Sequence, residues 1–270
     1  MRKNGLAIHP LNDSVGAEID LDLSTPHEDW VYREIRQAID AHGVVFFRDQ
    51  NLDSEQYATF ARHFGKTIVP TSDIIPAFNG SSEIAEVRKE PEQTRNIGGS
   101  WHTDQAFRPA PYWGTMLLAR EVPDYGGDTL FIGMAAVYEA LSDGLKQTLD
   151  GLRAVHSNAR VQAKMTDGKP AQPDVTHPVV ARHPGDGHRF LYVNPAYTVR
   201  FDGWSEQESQ GLLDYLFRFA QRPEFACRFR WREGSLAFWD NYQTWHYATN
   251  DYQGERRVMH RIVVESDPFF

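Results

Sequence analysis

The run Arg257-Val258-Met259-His260-Arg261-Ile262-Val263-Val264 near the C-terminus is the feature that most constrains this chain. Its β-branched residues read as a strand over residues 257–265, and period-two alternation puts Arg257, Met259 and Arg261 on one face. If that face looks into a barrel, two guanidiniums enter a low-dielectric interior, where an unpaired charge costs several kcal/mol or more. Anions arriving as ligands remove that cost, and planar guanidinium forks suit carboxylates or sulfonates. The plainer alternative is that both arginines face solvent or pair with structural acids.

The rest of the chain supplies partners for such a strand. Residues 44–48 read as a buried strand, and further strands are predicted over 112–120, 129–132, 179–183, 189–193, 227–232 and 235–239. Thr25-Pro26-His27-Glu28 reads as a capping box that opens a helix through Val31, Ile35, Ala38 and Ile39, closed by Gly43. Asp53-Ser54-Glu55-Gln56 repeats the signal before Tyr57, Phe60, Ala61 and Phe64, with Gly65 as the stop. Helical patterns recur over 135–152 and over 206–221, the latter behind a third capping box at Ser205. The pattern is mainly β with peripheral helices, a β-sandwich or rolled barrel. With no repeat or linker, residues 1–270 are read as a single domain. Segments 67–100 and 157–177 are polar and weakly periodic, and each adjoins a motif, so both are read as lids.

Composition narrows the function. Hydrophobic residues at 41% and charged residues at 24% suit a soluble globular protein. A net charge of −9 argues against nucleic acid or an anionic membrane as partner, and leaves capture of an anion to local arginines. The apolar run from Gly43 to Phe47 is too short to span a bilayer, and the first residues lack the apolar core of a signal peptide. The lone cysteine, Cys227, excludes an internal disulfide and is read as a packed thiol; a cytoplasmic location is expected. A homo-oligomer is left open.

The chemistry concentrates in three places. In Ser100-Trp101-His102-Thr103-Asp104, an extended chain projects His102 and Asp104 from one face. An imidazole and a carboxylate side by side make two-thirds of a two-His-one-carboxylate triad, which leaves positions open on an octahedral metal. Taken alone the triplet equally fits a surface pair or a hydrogen-bonded core histidine. The second place, Phe238 to His246, follows a strand and precedes Arg257 by 257 − 246 = 11 residues and Arg261 by 261 − 246 = 15. In the third, Gly126-Gly127-Asp128-Thr129, two glycines permit a tight turn with positive φ and Thr129 offers a hydroxyl at a strand start. An ordinary hairpin turn explains that tetrapeptide as well.

Together these motifs resemble the taurine/2,4-D dioxygenase (TauD/TfdA-like) family of Fe(II)/2-oxoglutarate enzymes. The resemblance covers nearly the whole chain, from Val15-Gly16-Ala17-Glu18-Ile19 through Trp101 to Phe107, Ala119-Arg120-Glu121, Gly126 to Leu130 and His177-Pro178-Val179-Val180. It ends with Trp239-Asp240-Asn241, His246-Tyr247-Ala248 and Arg256 to Arg261. It implies a double-stranded β-helix, a jelly roll of the cupin type, using Fe(II), 2-oxoglutarate and O2. By position it implies that His102, Asp104 and His246 hold iron, and that Thr129 and Arg257 bind the distal carboxylate of 2-oxoglutarate. Arg261 falls at the family's position for the acidic group of the primary substrate. The expected reaction oxidises a small organic acid, carboxylate or sulfonate, with release of succinate and CO2. Hydroxylation beside a heteroatom would end in cleavage. Asn96-Ile97-Gly98-Gly99-Ser100 departs from the taurine enzymes, with glycine where an amide side chain would sit. Asn96 and Ser100 are expected beside a substrate other than taurine. The alternatives are a non-catalytic metal-binding jelly roll and a zinc-type hydrolase, in which neither arginine has a role.

Overall fold

Strands that are apolar at every position need cover on both faces. The protein, described by a computed structural model over residues 5–69, 75–165 and 171–265, provides it with stacked sheets on one side and helices on the other. The strands in chain order are β1 (Ile8–Pro10), β2 (Ala17–Ile19), β3 (Val44–Phe47), β4 (Thr67–Ile68), β5 (Ala85–Lys89), β6 (Gly114–Glu121), β7 (Thr129–Gly133) and β8 (Arg153–His156). They continue with β9 (Val175–Pro178), β10 (Val180–Arg182), β11 (Arg189–Leu191), β12 (Thr198–Phe201), β13 (Ala226–Phe229), β14 (Leu236–Asp240), β15 (Thr244–Ala248) and β16 (Arg257–Val264). The helices are α1 (Asp29–His42), α2 (Ser54–Arg62), α3 (Met134–Glu139), α4 (Asp143–Leu149), α5 (Ala159–Met165) and α6 (Glu206–Ala220).

The large sheet runs β1-β2-β3-β14-β6-β16-β4, with β5 also on β16. Alternation sorts its side chains cleanly. Val45, Phe47, Met116, Leu118, Phe238, Ile262 and Val264 share a core with Ile35 and Ile39 of α1 and with Tyr57 and Phe60 of α2. The other face presents Val44, Phe46, Leu117, Ala119, Ala237, Trp239 and Met259, which pack with Phe131 and Phe229. Those two belong to the second sheet, ordered β13-β7-β15. The rings of Phe46 and Phe229 stack at 4.0 Å across the gap. Burial of each such ring contributes ~1.5–3 kcal/mol relative to exposure. A third sheet, β12-β8-β9, and the β10–β11 hairpin complete the strands, with α6 against β12 and α3 against β11.

Several expectations hold. Gly43 caps α1 at φ +72, and the capping boxes at Asp53 and Ser205 are both formed. Cys227 is buried, and burial pushes its thiol up to about 12. The box at Thr25 is not formed: α1 starts only at Asp29, behind Glu28, which makes no side-chain cap. The Glu28 carboxylate instead accepts from Trp30 Nε1 at 2.6 Å. The helix expected over 135–152 is two, because the Ser142 hydroxyl accepts from Leu145 N and restarts the chain as α4. Segments 67–100 and 157–177 carry structure of their own. The first contributes β4 and β5 to β16; the second holds α5 and the start of β9. Their residues 70–74 and 166–170 lie outside the described residues.

Candidate functional site

His102 and His246 are joined by an isolated antiparallel bridge. His102 N donates to the His246 carbonyl at 3.2 Å and His246 N to that of His102 at 2.8 Å. His246 sits in β15, itself paired with β7, so the bridge sets the two imidazoles side by side with ring centroids 4.1 Å apart. Two residues on, just before Gln105 turns the chain at φ +51, Asp104 joins them. Its Oδ1 lies 3.8 Å from Nε2 of each histidine. His102 and Asp104 therefore face one point as the triplet pattern predicts, and His246 joins them as the resemblance implies, with no hydrogen bond between the three side chains.

Each member is held from behind. His102 Nδ1 is 2.7 Å from the Ser100 carbonyl, which fixes the tautomer and leaves Nε2 as a lone pair. Asp104 Oδ2 accepts from Thr115 Oγ1 at 2.8 Å and from Arg261 Nη2 at 2.7 Å. Thr115 is positioned by the Asn241 amide at 2.8 Å, and Asn241 Oδ1 accepts from Trp239 Nε1 at 2.9 Å. The Thr103 hydroxyl donates to the Asn241 carbonyl. Trp239 and Phe131 pack on the His246 ring. Burial lowers both imidazoles, His246 well below its ordinary value, so they are neutral. Burial alone would raise the Asp104 carboxyl, but the charge of Arg261 and its other neighbours outweigh it and hold the group low. Two neutral nitrogens and one carboxylate oxygen, with every competing lone pair engaged elsewhere or turned away, fit a divalent cation.

Deeper along β16, Arg257 is buried, and its Nε and Nη2 have no hydrogen-bond partner. Its guanidinium lies 5.7 Å from the Trp231 ring, and Trp231 Nε1 donates to Thr129 Oγ1 at 2.9 Å. Arg257 and Thr129 are thus gathered around one indole. The glycine turn explains itself here. Gly127, at φ +67, would set a Cβ 3.3 Å from both Arg257 Cδ and Tyr252 Cδ1. A side chain there would push against the guanidinium stem.

The other expected site residues lie close by along the chain but serve the protein itself. The Asn96 amide donates to the carbonyls of Ala248 and Thr249, at 2.9 and 3.0 Å. Ser100 is exposed and gives its carbonyl to His102. Arg261 reaches the Asp104 carboxylate directly. Sequence reasoning gave no role to Thr115, Asn241 or Trp231, which orient the site; each sits in or beside a strand, and nothing local marks its side chain as inward and paired across the fold.

Comparison with known proteins fits this geometry. The family model described as taurine catabolism dioxygenase TauD, TfdA family matches residues 7–263. The chain belongs to this family. An alpha-ketoglutarate-dependent sulfate ester dioxygenase of Pseudomonas putida is 33% identical over 97% of the chain and 90% of its own length. The alpha-ketoglutarate-dependent 2,4-dichlorophenoxyacetate dioxygenase of Cupriavidus pinatubonensis is 32% identical over 96% of both. Among solved structures, a taurine dioxygenase from Burkholderia xenovorans superposes with a TM-score of 0.84 at 34% identity, covering 98% of this chain and 92% of that one. AAD-2 in complex with Mn(II) and N-oxalylglycine superposes at 0.88 with 27% identity, covering 99% and 100%.

Proposed function

We propose that this TauD/TfdA-family protein is an Fe(II)- and 2-oxoglutarate-dependent dioxygenase that oxidises a small anionic organic substrate. The observation that carries the reading is the convergence of His102 Nε2, Asp104 Oδ1 and His246 Nε2, 3.8 Å from carboxylate to each imidazole, with their remaining polar atoms held apart from that point. Those three atoms would hold the iron. When bound, iron is where 2-oxoglutarate and O2 react to give succinate, CO2 and an oxidised substrate.

The chain's own residues bind, orient and exclude water. Arg257 and the Thr129 hydroxyl receive the distal carboxylate, which gives Arg257 the anion it lacks. Thr115 and Arg261 fix the rotation of Asp104 so that Oδ1 alone faces the imidazoles. Arg261, from that position, also presents positive charge to the acidic group of the substrate. Trp239 and Phe131 keep the His246 side dry. Asn96 and Ser100 shape the approach through the backbone contacts they make. We read the facing sheets as a double-stranded β-helix and residues 1–270 as one cytoplasmic domain. Relatives named for sulfate esters and for 2,4-dichlorophenoxyacetate support an acidic substrate. The unpaired Arg257 favours a site that takes an anionic co-substrate.

The test is 2-oxoglutarate turnover in air with Fe(II) and a panel of alkyl sulfates, sulfonates and aryloxy acids. Succinate release stimulated by one class, with product formed one for one, is expected. Consumption that no organic acid stimulates would contradict the substrate reading. Arg261→Ala should weaken that substrate and let succinate outrun product.

A further inference from the structure

Strand β5 brings a second buried cation to Arg257. In the antiparallel register of β5 and β16, Lys89 lies directly opposite Arg257. Paired residues leave the sheet on the same face, with Cβ atoms roughly 4.5–5.5 Å apart. Lys89 is 3% exposed and Arg257 6%. Both border one cavity of about 10 Å³, together with Asn96, Ile97 and Tyr252. No ion pair joins either cation to an acid among the described residues. Lys89 Nζ reaches the Tyr252 carbonyl at 3.4 Å and stands 4.5 Å from the centre of the Tyr252 ring. A long hydrogen bond and a ring face are little compensation for a buried ammonium set beside a buried guanidinium. An anion that reached both would offset the cost of burying each.

We propose that Lys89 and Arg257 form one receptor for the distal carboxylate of 2-oxoglutarate, so that the co-substrate meets two cations. This rests on the reading of Arg257 given above. A carboxylate has two oxygens and about four acceptor sites, enough for a guanidinium fork and an ammonium at once. Lys89 enters from β5 and Arg257 from β16, strands already paired along this stretch, so the two cations meet the co-substrate from neighbouring strands. If Lys89 merely packs its stem against Tyr252, removing its charge will not distinguish ligands with and without a distal carboxylate.

The experiment is calorimetric binding to the full chain loaded with Mn(II) without oxygen, using 2-oxoglutarate and 2-oxobutyrate, which lacks the distal carboxylate. Lys89→Met is expected to weaken 2-oxoglutarate about tenfold and leave 2-oxobutyrate unchanged; Lys89→Arg restores most of the loss. Wild-type affinity for 2-oxoglutarate should fall more steeply with salt than that of Lys89→Met. Lys89→Gln, uncharged but polar, replaces the methionine variant should that one fail to fold. Unchanged 2-oxoglutarate binding in the Lys89 variants, alongside a loss in Arg257→Met, would overturn the proposal while sparing the Arg257 reading. Unchanged binding in Arg257→Met as well would remove that reading too.

Discussion

Among the described residues, two groups of two histidines and an aspartate lie close enough to share a metal, and they treat protons in opposite ways. At His102, Asp104 and His246, the facing nitrogens and oxygen make no hydrogen bond to one another, and burial lowers both imidazoles. In the β10–β11 hairpin, His183, Asp186 and His188 also lie close enough to share a metal. There the ring nitrogens are engaged. His183 Nε2 pairs with the buried Asp240 at 2.7 Å, and its Nδ1 accepts from Gly185 N at 3.1 Å. His188 meets Asp186 at 2.5 Å and Gln243 Oε1 at 2.9 Å. Burial would lower His183, but the hydrogen bond and charge of Asp240 outweigh it, and the ring is raised. The residue types are the same in the two groups, two histidines and one aspartate. What separates them is whether lone pairs are left pointing at a common place or already used.

The largest effect that could break this contrast is on metal binding. His246→Ala should lower metal affinity at least about 100-fold and abolish turnover, whereas His188→Ala should still bind one metal per chain, as read by equilibrium dialysis. A second equivalent of metal in the wild type, lost in His188→Ala, would make the hairpin a site after all. Next in size is stability. His183→Ala strips the fully buried Asp240 of its imidazole hydrogen-bond partner and should cost ~1–3 kcal/mol in urea unfolding with metal affinity unchanged. Loss of metal affinity in that variant would mean that the two groups are coupled.

A smaller effect sharpens the orientation argument. Thr115→Val removes one donor to Asp104 Oδ2 and leaves the Asn241 amide unpaired, and metal affinity should drop about tenfold. An unchanged value would make Arg261 alone sufficient. The smallest concerns pH. The lowered rings of His102, His246, His156 (about 3) and His260 (about 4) favour folding above the unfolded value of about 6.5, a gain lost as pH falls toward their folded values. The raised His183 works the other way: its contribution is full below the unfolded value and is lost as pH rises through its folded one. The metal-free protein should therefore weaken between pH 7.5 and 5.5, and His183→Gln should weaken more steeply. A wild type that gains stability on acidification would contradict these directions.

Much of this was legible in the sequence because strand alternation is a strong signal. Period two alone placed Arg257, Met259 and Arg261 on one face, and that face is the interior. Gly126 and Gly127 announced a positive-φ turn, and both have it. The triad was legible as a motif, but only once residues 102, 104 and 246 were taken together. What stayed hidden depends on contacts far apart in sequence. Strand β15, which carries His246, is short and was not foreseen, nor was β5 inside the supposed lid; both exist because β7 and β16 offer free edges to them. Arg261 reads as a substrate residue from its position, yet its shortest contact is with Asp104, 157 residues away. The two His/Asp groups show the same limit, since only the folded chain reveals that Asp240 claims His183.

One titration bears most directly on the account. The full chain, loaded with Fe(II) and kept free of oxygen, is mixed with 2-oxoglutarate while its visible absorption is followed. A weak metal-to-ligand charge-transfer band should grow to saturation at one co-substrate per chain, need higher 2-oxoglutarate in Arg257→Met, and be missing in His246→Ala. No band in the wild type, with iron shown to be bound, would contradict the assignment of His102, Asp104 and His246 to a 2-oxoglutarate-binding iron centre.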